Sequence, residues 1–231
     1  MTAERGHMLV IGIAGASGSG KTTLARALAG RIRGRAVLIN QDAYYRDFPD
    51  KSFEERRRLN FDEPGIFEHD LLYQDVRALA EGRPILEKGY DFTIHRRRDL
   101  DRLIEPGDVL IVEGIHAFYD ARLRGLMDLR IFMQVDPDIC LLRRALRDIH
   151  ERARQIDDIA EQYLSTVKPM YEQYVRNYVV YADLIVAGGG QNQLIVEMLS
   201  HFVQPGTASL RSAGFRVDPG RGGYDGAEGR A

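Results

Sequence analysis

Residues 15–23 read Gly15-Ala16-Ser17-Gly18-Ser19-Gly20-Lys21-Thr22-Thr23, and the apolar run MLVIGIA (8–14) leads directly into them. Such a run reads as a strand buried on both faces, while TLARALAGRI, from Thr23 onward, carries apolar residues at helical spacing. Gly15 to Thr22 therefore matches G-x-x-x-x-G-K-[ST] in the setting that pattern needs, between a strand and a helix. Its glycines let successive N–H groups converge on phosphates at a helix N-terminus. Lys21, one of only four lysines in the chain, brings a mobile charge for the β- and γ-phosphates, and the Thr22 hydroxyl suits a magnesium ion.

Outward from this loop, AVLIN (36–40), DVLIVEG (108–114), LRIFMQV (129–135) and ADLIVAG (182–188) read as further buried strands. Helical patterns fall between and after them: DLLYQDVRALAEG, DICLLRRALRDIHER, IDDIAEQYLSTVKPMYEQYV and NQLIVEMLSHFV. That alternation predicts an α/β P-loop NTPase fold, a mainly parallel sheet of about five strands with helices on both faces and a ligand at the carboxyl ends of the strands. From Gln204 the chain turns glycine-rich and loses apolar periodicity, so 1–203 reads as one domain and 204–231 as a disordered tail.

Composition narrows the class. A net charge of −2 provides no basic field for nucleic acid, and a single cysteine, Cys140, excludes an internal disulfide framework and suits a reducing cytoplasm. No apolar stretch is long enough for a membrane span, so no membrane partner is expected.

Two acids extend the phosphate site. Glu113 ends the strand DVLIVEG, where it can hold magnesium or simply face solvent. Asp42, in NQDAYYRD just after the second strand, can take the proton of an attacking hydroxyl or cap the turn that follows.

Beyond the phosphate loop, QDAYYRD, NFDEPGIFEHDLL, YDFTIHRR, VEGIHAFYD, CLLRRALRDIHERAR and QYLSTVKPMYEQY resemble, in order and spacing, the uridine-cytidine kinases, from about residue 8 to residue 201. The resemblance implies transfer of the γ-phosphoryl of ATP or GTP, with Mg2+, to the 5'-hydroxyl of uridine or cytidine. It also implies a homo-oligomer, often a tetramer. By position it makes Asp42 the general base and gives Asp62 the ribose hydroxyls, although on its own Asp62 reads equally as a turn cap before Pro64. Tyr90 and His95 would meet the base edge, Phe61 and Phe92 its face, in a small β hairpin, and Arg144, Arg154 and Gln162 would complete the sugar site. Without the family, those rings read as ordinary core.

Arg143, Arg144, Arg147, Arg152 and Arg154 form a basic cluster, which on a bare helix is a solvated face. The resemblance instead assigns Arg147 and Arg152 to the phosphates, within a helical lid at about 147–163 that excludes water. Four features depart from the family. Ala153 replaces a lid glycine, Lys88 and Gly89 precede Tyr90, and His116 occupies a usually apolar position, where it reads as a hydrogen-bonded structural histidine. AGGGQN lacks an arginine often found in that loop. Three other readings remain open from the residues alone: a sister kinase acting on a ribulose phosphate or pantothenate, a GTPase-type switch, and a nucleic-acid module. The switch lacks a guanine-reading N-K-x-D, and the charge balance disfavours the nucleic-acid module.

Overall fold

In the computed structural model, residues 8–152 and 154–204 are described, residues 151 and 152 by their backbone alone. Five parallel strands, β1 (Leu9–Gly15), β2 (Ala36–Asn40), β5 (Val109–Glu113), β6 (Leu129–Gln134) and β7 (Leu184–Ala187), form one sheet in the order β2-β5-β1-β6-β7. The apolar runs of the sequence fall on these strands because both faces of the sheet are covered. In β5, Leu110 and Val112 enter one core with Leu72, Val76 and Leu79 of α3 (His69–Ala80). Val109 and Ile111 enter the opposite core with Leu24, Ala25 and Leu28 of α1 (Lys21–Ala29) and Val196 and Leu199 of α8 (Gln193–Phe202). A parallel sheet clad on both sides requires such continuous apolar strands.

The register puts the chemistry on one edge. Asn40 and Ile13 both pair with Glu113, and Gly15 pairs with Met133, so the segments that leave β1, β2 and β5 emerge side by side. A second sheet is the antiparallel hairpin of β3 (Ile85–Asp91) and β4 (Arg96–Ile104), which has an irregularity between Leu86 and Lys88. Tyr90 stays opposite Arg97 in the ladder, and Lys88 packs its ammonium 4.0 Å from Asp99.

Two short helices lie outside the periodic patterns of the sequence, α2 (Phe53–Arg57) and α4 (Ala121–Leu126). α2 is started by a capping box between Ser52 and Glu55. α5 (Pro137–Arg152) carries the arginines. The pattern 156–175 does not form one helix: α6 (Ile156–Gln162) passes into a π turn, Tyr163–Val167, and then α7 (Lys168–Gln173). Pro169 has no N–H to continue the ladder, and the hydroxyls of Ser165 and Thr166 donate to the carbonyls four residues back, at 2.7 and 2.9 Å. Gln204, read from sequence as the first tail residue, is held in the fold: its side chain accepts from Arg33 N at 2.7 Å and donates to Arg31 O at 3.1 Å. Residues 205–231 and Ala153 lie outside the described residues. No described helix is long and apolar enough to cross a membrane.

Candidate active site

The phosphate end is built from backbone. Gly15, Gly18 and Gly20 have φ of 149°, 84° and 92°, values that side chains disfavour. The loop is also packed too tightly for a methyl group at Gly18, where a Cβ would lie 2.3 Å from the Cys140 carbonyl oxygen. α1 is capped by Gly20 with no side-chain cap, so the N–H groups of its first turn and its positive end are available to an anion. The Ser19 hydroxyl, fully buried, has no hydrogen-bond partner among the described residues. Lys21 is buried, and its ammonium donates to the Ala16 carbonyl at 2.9 Å, across the mouth of the loop.

Glu113, 2% exposed, accepts a hydrogen bond from the Thr22 hydroxyl at 2.8 Å. Burial pushes its carboxyl above the ordinary carboxylate range, with the Lys21 charge pulling the other way. The same burial pulls the Lys21 ammonium down, against the attraction of Glu113 and Asp42. Asp42 completes this group at the start of a 3-10 turn, Gln41–Tyr44, and the cap of that turn is Asn40, whose side chain accepts from Asp42 N at 2.8 Å. The capping alternative for Asp42 therefore falls away. The Asp62 alternative goes the same way, because Asn60 makes the local turn by accepting from Asp62 N at 3.0 Å.

The Asp62 carboxylate faces α5 instead. It is 6% exposed and receives both terminal nitrogens of Arg144, at 3.1 and 3.5 Å. Burial works against the Arg144 charge, yet Asp62 and Asp148 outweigh it and hold the guanidinium above its ordinary range. Gln162 accepts from Arg144 at 3.3 Å and also from Arg154. Behind them lies Asp148, fully buried, 3.1 Å from Arg147, 3.6 Å from Arg154 and 3.8 Å from Arg144. Arg144, Arg147 and Arg154 of the basic cluster are thus organised around one carboxylate, while Arg143 is exposed. The Arg152 side chain lies outside the description.

Next to Asp62, the aromatic residues gather around Tyr45. Phe61 meets Tyr45 edge-on at 5.3 Å, Tyr90 lies 5.0 Å from it, and Phe92 is edge-on to Tyr90 at 5.2 Å. His95, at φ 50°, stacks on Phe61 with ring centroids 4.9 Å apart. A small pocket is lined by Ala16 and Ser17 of the phosphate loop together with Asp62, Arg144 and Tyr163.

Comparison with known proteins gives the same grouping. Residues 10–195 match the model of the Phosphoribulokinase / Uridine kinase family. The chain belongs to that family. It is 45% identical over 205 residues to a uridine kinase of Latilactobacillus sakei subsp. sakei (strain 23K), covering 88% of this chain and 97% of that one. It is 45% identical over 192 residues to a uridine kinase of Geobacillus kaustophilus (strain HTA426), covering 83% and 91%. Among solved structures, one described as a possible uridine kinase from Bacillus stearothermophilus aligns with a TM-score of 0.54 at 18% identity, over 80% of this chain and 91% of that one, a likeness of fold.

Within this family member, the sequence-selected Lys21, Thr22, Asp42 and Glu113 share one sheet edge, and Asp62, Arg144, Arg154 and Gln162 share one network. Asp148 and Tyr45 were missed. An Arg-Asp pair on a helix and a tyrosine in a Tyr-Tyr pair carry no sequence signal that separates a buried organiser from surface or core. In the loop without arginine, Gly189 lies under a guanidinium from elsewhere: a Cβ there would meet Arg143 Nη1 at 2.8 Å.

Proposed function

We propose that the chain transfers the γ-phosphoryl of ATP, or of GTP, to the 5'-hydroxyl of uridine and cytidine, giving UMP and CMP in the cytoplasm. The observation that carries this reading is the placing of Ala16 and Ser17 of the phosphate loop and the Asp62–Arg144 pair around one pocket. Gly15 to Thr23 and the first turn of α1 hold the phosphates, and Lys21 neutralises charge that builds on them in transfer. Thr22 and Glu113, adjacent oxygen donors at the loop, fit a hard cation that takes few protein ligands. Mg2+ held there supplies positive charge to the phosphates.

Asp42 accepts the 5'-hydroxyl proton as the phosphoryl group moves. Asp62 accepts from the two ribose hydroxyls, with Arg144, Arg154 and Gln162 holding its geometry. Phe61, Phe92, Tyr90 and His95 enclose the base, a setting that suits a flat ring better than a sugar phosphate. Residues 147–163 act as a lid within one kinase unit, 1–203, through which Arg147 and Arg152 reach the phosphates and water is kept out. Copies of this chain assemble, up to a tetramer, a reading supported by the exposed apolar residues Leu194, Met198 and Phe202 along one face of α8.

The test is an acceptor panel read by ATP consumption: uridine, cytidine, thymidine, guanosine, ribulose 5-phosphate and pantothenate. Uridine and cytidine should be used with comparable kcat/KM, and thymidine at least ~10³-fold less well, because a site built to bind the 2'-hydroxyl rejects its absence strongly. Guanosine keeps that hydroxyl and should be poor because its two-ring base is too large for the pocket framed by Phe61, Tyr90 and Phe92. An exclusive response to ribulose 5-phosphate or pantothenate overturns the proposal.

A further inference from the structure

His116 stands three residues beyond Glu113, in the segment that leaves β5, and it is fully buried. Both of its ring nitrogens are engaged. Nε2 lies 2.7 Å from the backbone carbonyl oxygen of Asp62, and Nδ1 lies 2.7 Å from the hydroxyl of Tyr178, in the 3-10 segment Val175–Tyr181. A carbonyl oxygen only accepts, so Nε2 carries the proton and Nδ1 accepts the Tyr178 hydroxyl proton. Burial pulls the imidazole pKa down to about 4, so at neutral pH the ring is uncharged and this tautomer is the one present.

The backbone N–H of the same residue donates to Gln41 Oε1 at 2.9 Å, and Gln41 is the buried neighbour of Asp42. Asp62 is therefore gripped at three points: its N–H by Asn60, its carboxylate by Arg144 and its carbonyl by His116. Of these three contacts, the one from His116 ties the Asp62 loop to the segment that leaves β5 after Glu113.

We infer that His116 is the positioning residue that fixes Asp62 for a ribose diol, and thereby sets the preference for ribose over 2'-deoxyribose nucleosides. The inference rests on the nucleoside reading above. An apolar side chain at 116 leaves the Asp62 carbonyl and the Tyr178 hydroxyl buried without partners, and the loop must shift to recover them. A shift of the loop moves the carboxylate off the two hydroxyls, while the phosphate loop, held by backbone packing, stays in place. A second hydroxyl then contributes less, and discrimination by it shrinks.

The experiment measures kcat and KM for uridine, 2'-deoxyuridine and ATP in the full chain and in three variants. His116→Leu should raise the KM for uridine by about tenfold and shrink the uridine-to-deoxyuridine ratio of kcat/KM by about tenfold, with the KM for ATP within about twofold. His116→Gln, whose amide can still donate to the Asp62 carbonyl, should recover most of the ratio. Tyr178→Phe removes the hydroxyl that holds the tautomer, so it should lower the ratio by a smaller factor, and it decides the question if His116→Leu does not fold. The inference is overturned if these variants keep the wild-type ratio, or if they weaken uridine, deoxyuridine and ATP alike, as a purely structural role would. A wild type that consumes no ATP with uridine instead overturns the parent reading.

Discussion

The two ends of the site are held by different forces. At the phosphate end the constraint is mainly steric, with glycines at φ 84° and 92° pressed against the Cys140 carbonyl and Gly190, and one lysine and one glutamate buried behind them. At the acceptor end charges hold charges, and the partners come from separate segments: Asp62 from a loop, Arg144 and Asp148 from α5, Gln162 from α6, and Arg154 between those helices. The first arrangement is organised before any ligand arrives, which suits electrostatic stabilisation of a transferring phosphoryl group. The second depends on several long-range pairs. Substitutions there should change which acceptor binds before they change whether ATP binds.

The largest effects should come from the chemistry that joins the two ends. Asp42→Asn keeps the shape and removes the proton acceptor, so kcat should fall by roughly 10²- to 10⁴-fold while the KM for uridine changes by less than about threefold. A collapse of affinity at unchanged kcat would make Asp42 a binding residue. Lys21→Ala should lower kcat by at least ~10²-fold. Its melting temperature should hold or rise, because burial already works against the Lys21 charge. A variant that unfolds would mean that the phosphate end leans on this charge, and the contrast between steric and electrostatic ends would break.

The same contrast explains how much was legible in the sequence. The five strands and the phosphate loop were readable because their determinants are contiguous: apolar runs for a sheet covered on both faces, and glycine spacing for a loop under backbone contact. Asp62 and Asp42 left two readings each, and the sequence did not choose between them. The structure removes the capping reading of each, because a neighbour two residues upstream, Asn60 or Asn40, does the capping instead. Asp148 was unreadable because an aspartate beside Arg147 looks like surface charge patterning until the helix is placed, when three guanidiniums prove to surround it. The break at 163–167 was hidden as well, since the apolar period runs through it, although Pro169 and the Ser165-Thr166 pair were local warnings.

Asp148 offers a way to sharpen the contrast by stability. Asp148→Ala leaves Arg144, Arg147 and Arg154 close together with less negative charge to offset them, and removing one partner of a buried ionic group is costly. We expect a loss of about 3 kcal/mol in urea unfolding, with the KM for uridine raised more than the KM for ATP. A loss below ~0.5 kcal/mol, the size typical of surface changes, would return the cluster to a solvated face.

A smaller effect tests the link between the ends through pH. The His116 imidazole has a folded pKa of about 4 against a free value of 6.5, and burial is the main cause. Below pH 6.5 the unfolded chain takes up a proton that the folded chain refuses, so this residue's contribution to stability is complete above that pH. It declines as pH falls toward about 4 and is constant below. His69 is displaced in the same direction by burial, whereas burial raises Glu113 and Asp75, which favours the folded state on acidification. The wild-type curve alone therefore mixes opposing terms. The difference in unfolding free energy between wild type and His116→Leu isolates the histidine, and it should shrink by on the order of 2 kcal/mol between pH 7 and pH 5. A difference that stays flat over that range would mean that the ring charges freely within the folded protein. The bond from Nε2 to the Asp62 carbonyl would then persist in the cation, but the acceptor role of Nδ1 toward Tyr178 would be lost, and with it the tautomer that ties the acceptor loop to the strand bearing Glu113.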